Sequence, residues 1–133
     1  TIGGTYGGNA LACAAGLEVL KLMDEGGLVK RSQEIGKKVM AAFNEMKEKY
    51  EVVGDVRGLG AMIGVEFVKD KKTKEPNPEF VGKFIQECAK NGLLVENAGI
   101  YGNVIRFLAP LVITDAQLDA GLEIYENAIK ACM

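Results

Sequence analysis

The fold of this chain is decided by the stretch Val52-Val53-Gly54-Asp55-Val56-Arg57-Gly58-Leu59-Gly60-Ala61-Met62-Ile63-Gly64-Val65-Glu66-Phe67-Val68. Its two apolar, β-branched runs predict strands over 52–56 and 61–68, and the glycine-containing segment 57–60 between them predicts a turn. One face of the second strand is apolar, as a half-buried strand requires, and it carries Ala61, Ile63, Val65 and Phe67. The stretch therefore predicts a β-hairpin.

Helical patterns lie on both sides of this hairpin. Apolar residues at helical spacing predict one long surface helix over residues 28–49. After the hairpin, Asn77 can cap a helix that has Pro78 at its first position. A capping box of Thr114 and Gln117 begins the last helix. The hairpin therefore has amphipathic helices available to cover it.

Two further strands, 93–96 and 104–108, are predicted after the third helix, with a glycine-containing turn between them. The order is then helix, helix, strand, strand, helix, strand, strand, helix. Short connections between consecutive strands favour an antiparallel sheet of three to four strands covered by helices. The fold class predicted from the residues is therefore α+β.

The first helix differs from the others because its apolar residues lie all round it. A loop with four glycines in nine residues precedes it, Asn9 is a suitable N-cap, and Gly26-Gly27 ends it. A helix that is apolar on every side is normally buried on most sides. We therefore expect its partners to lie partly outside this chain, and expect it to be exposed, disordered or self-associating without them.

Composition limits the classes of function. With 133 residues, 48% hydrophobic and 26% charged, the chain is typical of one globular domain with a real core. A net charge of -2 gives no general attraction to nucleic acid or to anionic membranes. The lysines at 69, 71, 72 and 74 are interleaved with acidic residues, which is typical of a solvated loop.

Histidine and cysteine usage excludes several kinds of site. Because the chain has no histidine, it cannot by itself form a Ser-His-Asp or Cys-His site or a histidine-bound zinc site. Its three cysteines are far apart and form no Cys-x-x-Cys pair, so we expect neither a metal site nor a disulfide. Free thiols, with no signal peptide and no apolar run long enough to span a bilayer, favour a cytoplasmic location.

The glycine loop before the first helix is a candidate phosphate site. Backbone N–H groups and the positive end of a helix dipole favour a phosphate there, and Thr5 adds a hydroxyl donor. No Gly-Lys-Ser/Thr follows, so it is not a Walker A loop, and no strand precedes it as in a dinucleotide fingerprint. An ordinary loop leading into a helix remains the alternative.

Arg106 is the second candidate because it lies in the middle of an apolar strand. A guanidinium in that position is either buried or at the edge of a cleft, and it needs a carboxylate from the protein or from a ligand. Glu66 and Glu96 are the candidate protein partners. Arg57, in the predicted turn, is expected to form a structural ion pair with Asp55.

Several segments in one order resemble the class III aminotransferases, pyridoxal-phosphate-dependent enzymes of fold type I. The three longest are Gly4–Ala15, Gly54–Ile63 and Gly102–Leu111, and the shorter segments 73–77 and 113–118 fit between and after them. The resemblance covers essentially the whole chain. Within the family, the middle segments are most similar to the members that use 4-aminobutyrate.

The resemblance implies a C-terminal part of a longer enzyme. Residues 1–26 would belong with a large domain and the dimer interface, and residues 27–133 would form the small C-terminal domain of an α/β enzyme. The lysine that binds the cofactor would lie before Thr1, so this chain would contain no catalytic residue. Thr5 with Gly4 matches the group that holds the cofactor phosphate across the dimer interface. Ala10 departs from the proline of many members, which affects the helix start and not the chemistry.

Arg106 matches the family arginine that holds the substrate α-carboxylate. The implied reaction moves the amino group of 4-aminobutyrate to 2-oxoglutarate, giving succinate semialdehyde and glutamate, in a homodimer or dimer of dimers without metal. An acetylornithine or other ω-amino acid transaminase is the alternative within the family. A stand-alone α+β ligand-binding or regulatory module is the alternative outside it. This chain alone is expected to be inactive and to bind no cofactor covalently.

Overall fold

Four helices and a four-stranded sheet make up residues 3–133, which the computed structural model describes. The first two residues of the predicted segment 1–26, Thr1 and Ile2, lie outside the described residues. The predicted order of elements is confirmed. The elements are α1 (Ala10–Asp24), α2 (Leu28–Lys49), β1 (Val53–Leu59), β2 (Met62–Phe67), α3 (Pro78–Lys90), β3 (Glu96–Ala98), β4 (Val104–Phe107) and α4 (Asp115–Cys132).

The four strands form one antiparallel sheet in the order β1-β2-β4-β3. The predicted end of the first strand is wrong, because β1 continues past residue 56 through the segment that we expected to be a turn. Arg57 pairs with Gly64 and Leu59 pairs with Met62, so the turn contains only residues 60 and 61. Gly60 adopts a left-handed φ of 53°, which glycine reaches without steric cost.

The predicted start of β3 is also wrong, since the strand begins at Glu96 and not at Leu93. The N–H of Leu93 donates to the carbonyl of Cys88 at 2.9 Å, and Gly92 has a φ of 86°. Residues 93–95 therefore complete the end of α3 and lead the chain to the edge of the sheet.

Helices α2, α3 and α4 cover one face of the sheet. The inward face of β2 is buried as its alternation predicts, at Ile63, Val65 and Phe67. An aromatic cluster fills the space between the helices, with ring centroids 4.7 Å apart for Phe43 and Tyr125 and 4.6 Å apart for Phe84 and Tyr125. Each large apolar side chain buried in this way contributes about 1.5–3 kcal/mol of transfer free energy.

A glycine brings α2 close to the hairpin. A Cβ on Gly36 would collide with the backbone of Gly60. Beside this contact, the Ser32 hydroxyl accepts a hydrogen bond from the N–H of Ala61 at 3.0 Å. Two small residues on the apolar stripe of α2 thus hold the turn between β1 and β2.

The predicted helix caps are confirmed. Asn9 and Asn77 each accept a hydrogen bond from a backbone N–H three residues on, at 3.0 and 3.1 Å. Thr114 and Gln117 form the complete capping box at the start of α4. These contacts satisfy backbone donors that a helix start would otherwise leave unpaired.

Helix α1 stands apart from the rest of the chain. It has no buried residue, and Leu17 and Leu20 are each 60% exposed. Of the helices and strands in residues 3–133, only α2 contacts it. The prediction that this apolar helix is buried against parts of the protein outside these 133 residues stays a prediction.

Candidate functional site

A row of charged residues crosses the sheet face that the helices leave uncovered. Each strand contributes one position to this row, and neighbouring positions are directly paired. In the order β1, β2, β4 and β3, they are Arg57, Gly64, Arg106 and Glu96. Directly paired residues of neighbouring antiparallel strands point to the same face. Because Gly64 has no side chain, a patch of bare backbone separates the two arginines.

Arg106 lies at the side of this patch and is not buried, since its side chain is 44% exposed. Its Nη2 donates to Oε2 of Glu96 at 2.9 Å. Of the two protein partners that the sequence suggests, Glu96 is therefore present, and Glu66 instead accepts from Arg57. An exposed ion pair of this kind contributes about 0–1 kcal/mol, so it leaves the guanidinium available to a stronger ligand.

Arg57 is held by two carboxylates. Its Nη1 donates to Glu66 at 2.6 Å and to Asp55 at 3.1 Å, so the predicted ion pair with Asp55 is present. Hydrogen bonds to Glu66 and then to Asp55 raise the pKa of the Arg57 guanidinium. Burial opposes ionisation of Asp55, but hydrogen bonds from Lys47 and Arg57 outweigh it and lower the pKa of that carboxyl. Arg57 is thus satisfied within the domain.

A pocket of about 420 Å³ adjoins Arg106 between α4, β4 and the segment that leads into β3. The hydroxyl of Tyr125, one of the lining residues, is buried with no hydrogen-bond partner among residues 3–133, and burial raises the pKa of Tyr125 well above its usual range. The sequence analysis did not predict this pocket. The apolar stripe of the last helix could have indicated it, because residues of that stripe line the pocket. Its lining is mostly apolar and includes Leu93, Val95, Glu96, Arg106, Phe107, Leu118, Leu122 and Tyr125.

The glycine loop forms an exposed turn before α1. The N–H of Gly7 donates to the carbonyl of Gly4 at 3.1 Å, and Gly8 has a φ of 78°. Gly4 and Thr5 are both exposed. A hydroxyl and the N–H groups of a glycine turn can donate hydrogen bonds to a phosphate. Gly4 and Thr5 therefore fit a phosphate group. The loop does not line the pocket beside Arg106.

Two other features, a metal site and a membrane-spanning helix, are absent from residues 3–133. No group of three or more histidine, cysteine, aspartate or glutamate side chains is placed to hold a metal ion in that part of the chain. No helix in the same range combines the length and apolarity needed to cross a membrane.

Comparisons with known proteins cover nearly the whole chain. The sequence profile of the aminotransferase class-III family matches residues 1–129. The chain is 47% identical over 130 residues to a probable 4-aminobutyrate aminotransferase of Bacillus subtilis, covering 98% of this chain and 30% of the relative. It is 46% identical over 123 residues to the 5-aminovalerate aminotransferase DavT of Pseudomonas aeruginosa, covering 92% of this chain and 29% of the relative.

A solved structure gives the same match in three dimensions. An amine transaminase from an uncultivated Pseudomonas species, crystallised in its PLP-bound form, is 32% identical and superposes with a TM-score of 0.86. The match covers 100% of this chain and 30% of that one. The 133 residues thus span about 30% of the length of the proteins they resemble. On the profile match and these identities, the chain belongs to the class III aminotransferases.

Proposed function

We propose that the protein containing this chain moves the amino group of 4-aminobutyrate to 2-oxoglutarate, giving succinate semialdehyde and glutamate. The observation that carries the proposal is the position of Arg106, a partly exposed guanidinium on the uncovered sheet face that pairs directly with Gly64 of β2. Support for the donor comes from the 47% identical Bacillus subtilis relative, whose name gives 4-aminobutyrate as its substrate.

Arg106 would bind the carboxylate of the keto acid. Its planar guanidinium matches a carboxylate with two parallel hydrogen bonds, which fixes orientation as well as position. Strand β4 is paired with β2 on one side and with β3 on the other, so the backbone that carries Arg106 is held on both sides. Gly64, directly opposite Arg106 on β2, adds no side chain that could compete for the guanidinium.

Gly4 and Thr5 would hold the phosphate of pyridoxal phosphate. That cofactor supplies an electron sink for proton removal at the substrate carbon when it is bound. The exposed Thr5 hydroxyl and the N–H groups of the turn would hold the phosphate in place and would take no part in the proton removal. Residues 1–26 would then belong with the large domain and dimer interface, in a homodimer or dimer of dimers, and the lysine that binds the cofactor would lie elsewhere in the protein.

A second donor, 5-aminovalerate, is one methylene longer, and it is favoured by the 46% identity to the Pseudomonas aeruginosa relative named for it. Arg106 would serve the keto acid in the same way with either donor. Acetylornithine and other ω-amino acids are the remaining donors within the family. Family membership speaks against a stand-alone ligand-binding module.

The assignment of Arg106 is tested in the intact enzyme with Arg106→Ala. A hydrogen-bonded charge pair contributes about 1.5–3 kcal/mol, so we expect the KM for 2-oxoglutarate to rise about 10- to 150-fold. Arg57→Lys is the matched control, because that guanidinium already has two internal carboxylates, and its KM is expected to stay near the wild-type value. An unchanged KM in Arg106→Ala would reduce Arg106 to a structural ion-pair partner.

The donor is tested by product analysis with 2-oxoglutarate as acceptor. Equal concentrations of 4-aminobutyrate, 5-aminovalerate and acetylornithine are compared by kcat/KM, with glutamate formation as the readout. We expect 4-aminobutyrate to have the highest value. If either of the other donors has a higher kcat/KM, that donor replaces 4-aminobutyrate as the proposed substrate. The proposed role of Arg106 is then unchanged.

A further inference from the structure

A single carboxamide is buried at the start of the strand that carries Arg106. Asn103 is 2% exposed, and within residues 3–133 it is the only buried residue with a side-chain amide or a charge. Its Nδ2 donates to the carbonyl of Phe67 at 2.9 Å, and the N–H of Phe67 donates to the carbonyl of Asn103 at 2.7 Å. The two residues thus exchange a pair of hydrogen bonds, as directly opposite residues of an antiparallel ladder do.

This pair continues the ladder between β2 and β4. Glu66 pairs with Val104, so the next residues along the two strands are Phe67 and Asn103. In this register Arg106, three residues after Asn103, lies on the uncovered face of the sheet. A slip of β4 by one residue would turn each of its side chains to the other face, because side chains alternate along a strand. The orientation of Arg106 therefore depends on this register.

The rest of the connection constrains the register weakly. Gly99 and Gly102, which precede Asn103, have left-handed φ values of 82° and 62°, and glycine is the most permissive residue in the backbone. Strand β4 itself has only four residues. The buried amide opposes a slip, because in another register it would lose its carbonyl acceptor while it is still buried. An unpaired buried polar group is costly, so the amide favours one register over the others.

We propose that Asn103 is a positioning residue for substrate binding: its buried amide holds β4 in the register that presents Arg106 to the carboxylate of the keto acid. This inference rests on the proposed substrate-binding role of Arg106. A buried asparagine fixes the register of coiled coils by the same physical means. Without the amide, β4 leaves the aligned register in part of the molecules. The apparent affinity for the keto acid then falls in proportion to the fraction that stays aligned.

This role affects KM and kcat differently. A saturating keto acid binds the aligned molecules and draws the others back to the aligned register, so kcat recovers. We expect removal of the amide to raise the KM for 2-oxoglutarate about 3- to 10-fold and to change kcat by less than about 2-fold. A loss of folded protein would have the opposite signature, since fewer active molecules lower the apparent kcat and leave KM unchanged.

The test is Asn103→Ala and Asn103→Val in the intact holoenzyme, with KM and kcat measured for 2-oxoglutarate. Neither side chain can donate to Phe67. Valine keeps bulk and has a high strand propensity, so Asn103→Val separates the hydrogen bond from volume and propensity. We expect both variants to raise KM. In an Arg106→Ala background, Asn103→Ala should raise KM no further.

Asn77→Ala is the matched control. The N–H of Asn77 donates to the same carbonyl of Phe67 at 3.1 Å, and its side chain accepts from the N–H of Phe80 at 3.1 Å as the cap of α3. The substitution removes the cap but keeps the backbone N–H and touches no residue of β4. We expect it to lower the stability of the domain and to leave the KM for 2-oxoglutarate unchanged.

The outcomes separate this inference from the proposed function. If Arg106→Ala leaves the KM unchanged, the role of Arg106 in binding the substrate fails, and this inference fails with it. If Arg106→Ala raises the KM but Asn103→Val keeps the wild-type value, only the role of the Asn103 amide is overturned. The same holds if Asn103→Ala raises KM further in the Arg106→Ala background. If both Asn103 variants fail to fold while Asn77→Ala folds, the role of Asn103 is structural alone and the inference is wrong.

Discussion

Arg57 and Arg106 lie in the same row of the sheet, two strands apart, yet their surroundings differ. Arg57 contacts two carboxylates of its own domain, at 2.6 and 3.1 Å, whereas Arg106 contacts one at 2.9 Å. Both side chains are partly exposed, so burial does not distinguish them. The number of carboxylates of the domain that contact each guanidinium does distinguish them, and it favours Arg106 over Arg57 for the carboxylate-binding role that we propose.

A hydrogen bond of Tyr50 is expected to make the free energy of unfolding depend on pH. The hydroxyl of Tyr50 donates to Oε1 of Glu126 at 2.7 Å. Burial, followed by this hydrogen bond, raises the pKa of Tyr50 to about 12. Because the neutral phenol is favoured in the folded state, its stabilisation is complete below the ordinary tyrosine pKa of about 10 and is lost as the pH rises toward 12.

We therefore expect the free energy of unfolding to fall between pH 10 and 12, and Tyr50→Phe to remove part of that fall. Urea unfolding at pH 8, 10 and 11 measures it for both proteins. Tyr101→Phe is the control, since Tyr101 is an exposed turn residue. An equal alkaline fall in wild type and Tyr50→Phe would contradict the prediction.

At the element scale, α2 approaches the turn of the β1–β2 hairpin closely, with Gly36 against the backbone of Gly60. This approach requires glycine on the helix, because any side chain at Gly36 would enter the backbone of Gly60. The contact fixes how far along the hairpin the long helix sits, and so which end of β2 is covered.

Gly36→Ala is therefore expected to destabilise the chain by about 1–3 kcal/mol, although alanine is the better helix former. Gly82→Ala is the matched control, because Gly82 lies within α3 with no neighbouring atom in the way of a Cβ. That substitution should be neutral or stabilising by up to about 1 kcal/mol. Urea unfolding measures the change in the free energy of unfolding for each variant. Equal changes in the two variants would show that packing at Gly36 is unimportant.

The elements that the sequence predicts correctly are those with local signals. Caps at Asn9, Asn77 and Thr114 depend on residues three positions apart, and each helix start is where the pattern indicates. The strand bounds are less accurate, because the extension of β1 through Arg57 depends on pairing with β2. The late start of β3 likewise depends on where α3 ends.

The candidate site, like the fold, can be predicted from the sequence only in part. The place of Arg106 within a strand follows from local alternation, so the sequence indicates it. The choice of Glu96 over Glu66 as its partner depends on the strand order, in which β4 lies between β2 and β3. Strand order is a property of tertiary pairing, which a spacing argument cannot supply. The role of Thr5 stays a prediction, since it involves groups outside the described residues.

At the scale of the whole molecule, the chain divides into a packed part and one helix beside it. Residues of α2, α3, α4 and the sheet form one buried core, whereas α1 contributes no residue to it. Exposed apolar patches of this extent are typical of surfaces that associate with another protein surface.

We expect the 133-residue chain to self-associate through α1, and residues 27–133 alone to fold as a monomer. Sedimentation velocity gives the oligomeric state, and circular dichroism gives the cooperativity of unfolding. The variant Leu17→Glu, Leu20→Glu is the control, because it keeps the length while adding charge to the exposed face. A monomeric full chain, or a shortened chain that does not unfold cooperatively, would contradict this division.

The ion pairs and buried groups described above also decide how the domain exchanges protons. The chain has no histidine, hydrogen bonds lower the pKa of Asp115 and Glu126, and burial raises the pKa of Tyr50 and Cys88 to about 12. Each shift moves a titration away from neutrality. Because the chain has no histidine, it contains no side chain whose ordinary pKa lies between about 5.5 and 7.5. Within that interval, a pH-dependent rate of the intact enzyme reports on groups that other parts of the protein contribute.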